Sequence, residues 1–137
     1  MSKNTDIVVI SHSFLRKINT SVYKILKDYY KISVCLVSPI AHRDNKKLIK
    51  PDYKTEHLDL KIIFKQTLFN SLRFKIYKGL FTTIANEKPK YVILDFDLIS
   101  LQSIFLLIHS YKSLVKICYF SNENNIIYEN NKLKNFK

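Results

Sequence analysis

The sequence predicts an α/β domain built on a Rossmann-like open parallel sheet, and three observations carry that expectation. Four apolar runs each break off into a small polar cluster: Ile7–Ile10 into Ser11-His12-Ser13, Val34–Val37 into Ser38-Pro39, Tyr91–Leu94 into Asp95-Phe96-Asp97, and Val115–Phe120 into Ser121-Asn122-Glu123-Asn124. Helical periodicity fills most of the gaps between these runs, and strands alternating with helices imply a parallel sheet. The 137 residues, 47% hydrophobic and 13% aromatic, suit one globular domain around one core. Open parallel sheets bind ligands beyond the carboxyl ends of their strands, so the polar clusters collect where such a fold keeps its site.

The first strand covers Asp6 to Ile10. A helix follows from about Asn19 to Tyr30, with Val22, Ile25, Leu26 and Tyr29 at the spacing of one buried face and Asn19 or Thr20 as its cap. The second strand, Ile32 to Val37, ends at Ser38-Pro39. Residues 41 to 56 carry Arg43, Lys46, Lys47, Lys50 and Lys54 without periodicity and read as a long basic surface loop. A weaker third strand lies near His57 to Phe64. Leu68 to Asn86 reads as a helix with Leu72, Ile76, Leu80 and Thr83 or Ile84 facing inward, and with Gly79 as a weak point inside it. Pro89 precedes the fourth strand, Tyr91 to Leu94. The helix from Leu98 to Tyr111 is apolar nearly all round and is expected to be well buried. Val115 to Phe120 is the fifth strand. Residues 1–126 form the expected domain, and 127–137 read as a polar tail or the start of a missing continuation. Right-handed crossovers favour a sheet ordered 3-2-1-4-5. Its switch point then falls between strands one and four, with Ser11-His12 and Asp95-Phe96-Asp97 on opposite sides of one crevice.

The formal charge of +12 first suggests an anionic partner. The composition behind it is 20 Lys against 3 Arg, with 18 Ile, 11 Asn, 2 Ala and 1 Gly, a skew expected of an AT-rich genome. Nucleic-acid readers rely on Arg for bidentate contacts, so its scarcity disfavours nucleic acid. Cys35 and Cys118 sit in apolar strand patterns and read as buried small hydrophobes of a reducing compartment. No CxxC or Cys/His spacing points to a metal. The apolar run Ile7–Ile10 is too short for a signal peptide, and Leu98–Ile108 is too short to span a bilayer. A cytoplasmic protein is the expectation.

A glycine-rich phosphate loop is absent from the sequence, which argues against a dinucleotide fold of the G-x-G-x-x-G type and against a P-loop. Val92-Ile93-Leu94-Asp95 invites comparison with the phospho-acceptor strand of response-regulator receivers. The acidic pair that holds magnesium in receivers is replaced here by Ser11-His12. Asp95 and Asp97 suit an acid/base pair or, for one of them, a cap on the following helix. His12 follows a strand end and is the candidate base or ligand contact. His42, His57 and His109 lack such a context and read as structural or solvent-facing. Glu123, at the fifth strand end, suits a sugar hydroxyl or solvent equally.

Lys88-Pro89-Lys90-Tyr91-Val92-Ile93 is similar to the "KPDVIH" segment that leads into a strand in family 4 glycosyltransferases of the GT-B fold. Asp95-Phe96-Asp97-Leu98-Ile99-Ser100-Leu101 resembles the acidic "EEPYSL" segment of part of that family. Tyr119-Phe120-Ser121-Asn122-Glu123-Asn124 resembles its "FFTWEN" strand end, and Ser11-His12 with Asn19 and Tyr23 resembles its first loop. The resemblance implies the N-terminal, acceptor-side half of a two-domain enzyme that moves a sugar from a nucleotide-sugar donor to a saccharide or lipid-linked acceptor. It implies His12 as the catalytic base, with Ser11, Asn19, Asp95, Asp97 and Glu123 holding the acceptor. The family's donor-binding half and its E-x7-E motif have no counterpart here. The chain alone is therefore expected to be inactive and to bind no cofactor of its own, and a truncated gene, a gene fragment or a separately encoded subunit that meets a donor-domain partner chain would each fit. Residues 43 to 54 read either as a solvated charge run or as a peripheral contact with an anionic membrane or a phosphorylated acceptor. The rival reading is a non-enzymatic basic α/β binding module for nucleic acid or an acidic partner.

Overall fold

The structure is a computed structural model and describes residues 5–44, 47–54, 59–68, 76–95, 101–112 and 115–119. Five parallel strands form its sheet: β1 (Ile7–Ile10), β2 (Val34–Pro39), β5 (Lys61–Lys65), β6 (Tyr91–Leu94) and β7 (Lys116–Tyr119). Two further strands, β3 (His42–Asp44) and β4 (Lys47–Ile49), pair antiparallel in a separate hairpin. The sheet order is β5-β2-β1-β6-β7. Its numbering differs from the expected 3-2-1-4-5 because the hairpin puts two extra strands between β2 and β5. The segment expected as a structureless basic loop thus folds partly on itself.

The central strands explain the apolar runs. Val8, Val9 and Ile10 of β1 and all of β2 are buried, since both faces of the sheet middle are covered. One face packs Val8, Ile10, Cys35, Val37, Val92 and Leu94 against Leu80, Ile84 and Leu106 from α2 (Leu80–Glu87) and α3 (Leu101–Lys112). The other packs Val9, Leu36 and Val34 against Phe14, with Tyr23 and Leu26 of α1 (Ser21–Tyr30) alongside. Helices on both faces make this a doubly wound α/β sheet, and alternation along each strand sends Ser11, Ser38 and Asp95 to the α1 side.

Several local expectations are corrected. The helix expected from Asn19 begins at Ser21, after two 3-10 turns, His12–Leu15 and Lys17–Thr20. Thr20 stands at its N-cap but makes no side-chain cap bond. The face of α1 toward the sheet carries Tyr23 and Leu26, whereas Val22, Ile25 and Tyr29 are 58% to 83% exposed. The apolar arc of α1 is wider than the strip the sheet can cover, so periodicity selected its edge instead of its centre.

Gly79 is not inside a helix. Thr67 and Tyr77 form an antiparallel bridge, and Gly79, with φ +69, turns the chain into α2 at Leu80. Of the helix expected over Leu68–Asn86, Leu80–Glu87 is present and residues 69–75 lie outside the described set. The third sheet strand sits at Lys61–Lys65, beyond the expected His57 start, of which 55–58 lie outside the described residues. Cys35 is buried as expected, but Cys118, on the edge strand β7, is exposed. The helix expected to be buried all round, α3, turns Gln102, Ser103 and Leu106 inward and leaves Ile104, Phe105, Leu107, Ile108 and Tyr111 exposed.

Candidate functional site

At the end of β1 the backbone leaves the sheet in extended geometry at Ser11 and enters the first 3-10 turn. The Ser11 hydroxyl caps that turn, accepting from the Ser13 N–H at 2.9 Å. It donates to Asp95 Oδ2 at 2.6 Å. Its single proton is therefore committed to the carboxylate, and the 2.7 Å contact with Ser13 Oγ runs with Ser13 as donor. Asp95 is carried there by register: Ile10 pairs with Leu94, and the Asp95 N–H donates to the Ile10 carbonyl at 3.1 Å. The two strands flanking the switch point thus end in one charge-assisted hydrogen bond.

Asn19 reaches back from the second 3-10 turn, its Nδ2 donating to the Ser13 carbonyl at 2.8 Å. It braces the loop that presents Ser11 and Ser13. Tyr23 lies behind this loop, edge-on to Phe14 with ring centroids 5.2 Å apart. Burial, and then the negative charge of Asp95, push the Tyr23 phenol above its ordinary pKa. On the opposite face, burial and Asp95 push Tyr77 up as well. Both phenols stay neutral donors at any ordinary pH, and the one carboxylate is the negative centre they share.

Beside Ser11 in the sheet lies Ser38, fully buried at the end of β2 and paired in register with Phe64. Its Oγ has no hydrogen-bond partner among the described residues. The α1 side of the rim therefore carries Ser38, Ser11 and Asp95 in a row across β2, β1 and β6. At 1% exposure Ser11 is too enclosed to act as a nucleophile. Ser13, His12 and Asp95, each half-buried, are the groups a ligand can reach, with Asn19 exposed beside them.

His12 stacks its ring on His42 of β3, with centroids 4.5 Å apart and planes tilted by 34°. The hairpin β3–β4 thus reaches the rim, which corrects the expectation that His42 has no site context. The chain after it is tied down to the same loop: Tyr53 Oη donates to the Phe14 carbonyl, and the Asp52 N–H donates to the Leu15 carbonyl at 3.1 Å. Asp52 in turn accepts from the Lys17 N–H at 2.9 Å and pairs with Arg16 at 3.6 Å. Burial, and secondarily Asp52, raise the Tyr53 phenol to about 12.

Of the six residues singled out in the sequence, Ser11 and Asp95 are in direct contact and Asn19 joins them through Ser13. His12 is on the same loop, turned toward His42. Asp97 and Glu123 lie outside the described residues. The Asp95 carboxylate accepts from Ser11, and residues 96–100, where the start of the following helix and its expected cap fall, lie outside the described residues. Ser13, Ser38 and His42 were missed as site residues. The first two were legible as strand-end polar residues, whereas His42 had no local signal because a hairpin returns it to the rim.

Among the described residues no group of three or more His, Cys, Asp or Glu side chains could hold a metal ion, and no helix is long and apolar enough to cross a membrane. The fold and the position of the cluster define an α/β protein with a polar rim at a switch point. No protein-family model, curated protein or solved structure matches the chain.

Proposed function

We propose that this domain holds the acceptor of a sugar-transferring enzyme of the GT-B kind, the donor being a nucleotide sugar. The observation that carries the reading is the Ser11–Asp95 bond across the switch point, with His12 and Asn19 on the same loop. Sugars are recognised by carboxylates that accept from hydroxyl groups and by donors fixed around them. Asp95 Oδ2 is occupied by Ser11, which orients the carboxylate and leaves Oδ1 without a partner among the described residues to accept an acceptor hydroxyl. In this reading His12 takes the proton from the attacking hydroxyl as a general base, and the His42 ring fixes its position. Asn19 acts through the loop as a positioning residue. Asp97 and Glu123 complete the acceptor contacts that the family resemblance implies.

Ligand-observed NMR of the chain with mono- and disaccharides, free and lipid-phosphate-linked, tests the proposal. Saturation transfer to an acceptor sugar, reduced at least tenfold in Asp95→Asn and retained in a distant surface variant such as Lys78→Gln, is the expected result. No sugar bound at millimolar concentration, together with nucleic-acid binding that collapses as salt rises, would overturn it in favour of a basic binding module.

A further inference from the structure

The helix α3 has its amphipathicity turned outward. Its inward face is pinned by a polar contact, Gln102 Oε1 accepting the Tyr77 N–H at 2.7 Å, and by Leu106 in the core. That bond fixes the rotation of the helix about its axis, because releasing it strands a buried backbone donor. Ile104, Phe105, Leu107, Ile108 and Tyr111 consequently face water, at 43% to 94% exposure. Phe81 of α2 extends the patch, its ring 5.5 Å from that of His109.

We propose that this face is the contact between two copies of the chain, α3 against α3 about a two-fold axis. Three features favour a second copy. Together with Phe81, these side chains leave on the order of 700 Å² in water, close to the ~800 Å² per partner that a standard interface buries. A two-fold contact needs a self-complementary surface, and an uncharged apolar helix face is one. The one charged residue of α3 is its last, Lys112, so two molecules of charge +12 can meet over Ile104–Ile108 without facing like charges at the centre of the contact. The exposed apolar side of α1 lacks this property: that helix and its cap carry Lys24, Lys27 and Lys31 against Asp28 alone. The proposal is independent of the sugar-binding reading.

Sedimentation equilibrium of the full chain at micromolar to tens of micromolar concentration, under reducing conditions because Cys118 is exposed, provides the test. The wild type should run as a dimer, and Ile108→Lys should run as a monomer with its far-UV spectrum retained. Should Ile108→Lys fail to fold, Tyr111→Lys at a position 94% exposed keeps the test open and should also give a monomer. A monomeric wild type overturns the proposal. So does a dimer that survives both substitutions, which would move association to another surface, the open edge of β7 first.

Discussion

Replacing Gly79 by Ala should destabilise the domain by about 1–2 kcal/mol, the cost of holding a residue with a Cβ in left-handed geometry. The sign is the informative part. A glycine inside a helix gains about 1 kcal/mol on replacement by Ala, so the periodic reading of Leu68–Asn86 expects stabilisation. The structure reverses this because Gly79 has φ +69 at the turn before α2. Crowding is not the cause: an added Cβ meets only Lys65 Nζ, at an ordinary 3.7 Å. Relaxing φ is resisted, since the Gly79 carbonyl accepts both the Thr83 N–H and Oγ1 at 3.1 Å and the Leu80 N–H donates to the Tyr77 carbonyl at 3.2 Å. For a domain of this size with an m-value of about 2 kcal/mol/M in urea, the midpoint should fall by about 0.5–1 M at unchanged m. Urea titration followed by far-UV circular dichroism reads this directly. Gly79→Asn should lose less than Gly79→Ala, because Asn visits the left-handed region more readily. A midpoint that rises in Gly79→Ala would refute the turn and restore a continuous helix.

The edge of the sheet away from the site carries a pH dependence. Burial alone would raise the Glu87 carboxyl, but hydrogen bonds from Lys61 and Thr5, both at 2.5 Å, and the Lys61 charge hold it below its ordinary 4.5. A lowered carboxylate contributes stability that is complete above the unfolded value and is lost as pH falls through the folded one. Urea midpoints should therefore fall below about pH 4.5 in the wild type and fall less steeply in Glu87→Gln. Equal slopes in the two proteins would show that Glu87 does not carry the effect. On α1, Leu26→Ala should cost about 2 kcal/mol whereas Ile25→Lys should change stability by less than about 0.5 kcal/mol, read by thermal or urea unfolding. Comparable losses in the two variants would restore the face that periodicity selected, which holds both residues.

The strand ends were legible because a strand buried on both faces must be continuously apolar, and the first polar residue after it marks the rim. Ile7–Ile10 followed by Ser11, and Tyr91–Leu94 followed by Asp95, located both members of the central hydrogen bond from sequence alone. The pairing of β1 with β6 followed from right-handed crossovers, which are a property of the chain's chirality. Helix faces were not legible in the same way. In α1 and α3 the apolar residues exceed what one side of a sheet can cover, and periodicity cannot say which part of a wide apolar arc turns inward. In α3 the choice was made by Gln102 reaching the Tyr77 backbone, a contact between residues 25 apart. His42 met His12 because a hairpin folded a basic segment back over the rim, and no local pattern encodes where a hairpin lands. Sequence thus determined where the backbone enters and leaves the sheet, because burial of a strand constrains every residue in it. Tertiary structure decided the rotation of α3 and the neighbours of His12, because each rests on a long-range contact that competes with local preferences of comparable size, and it decided the turn at Gly79, where the Thr67–Tyr77 bridge overrides the helical periodicity.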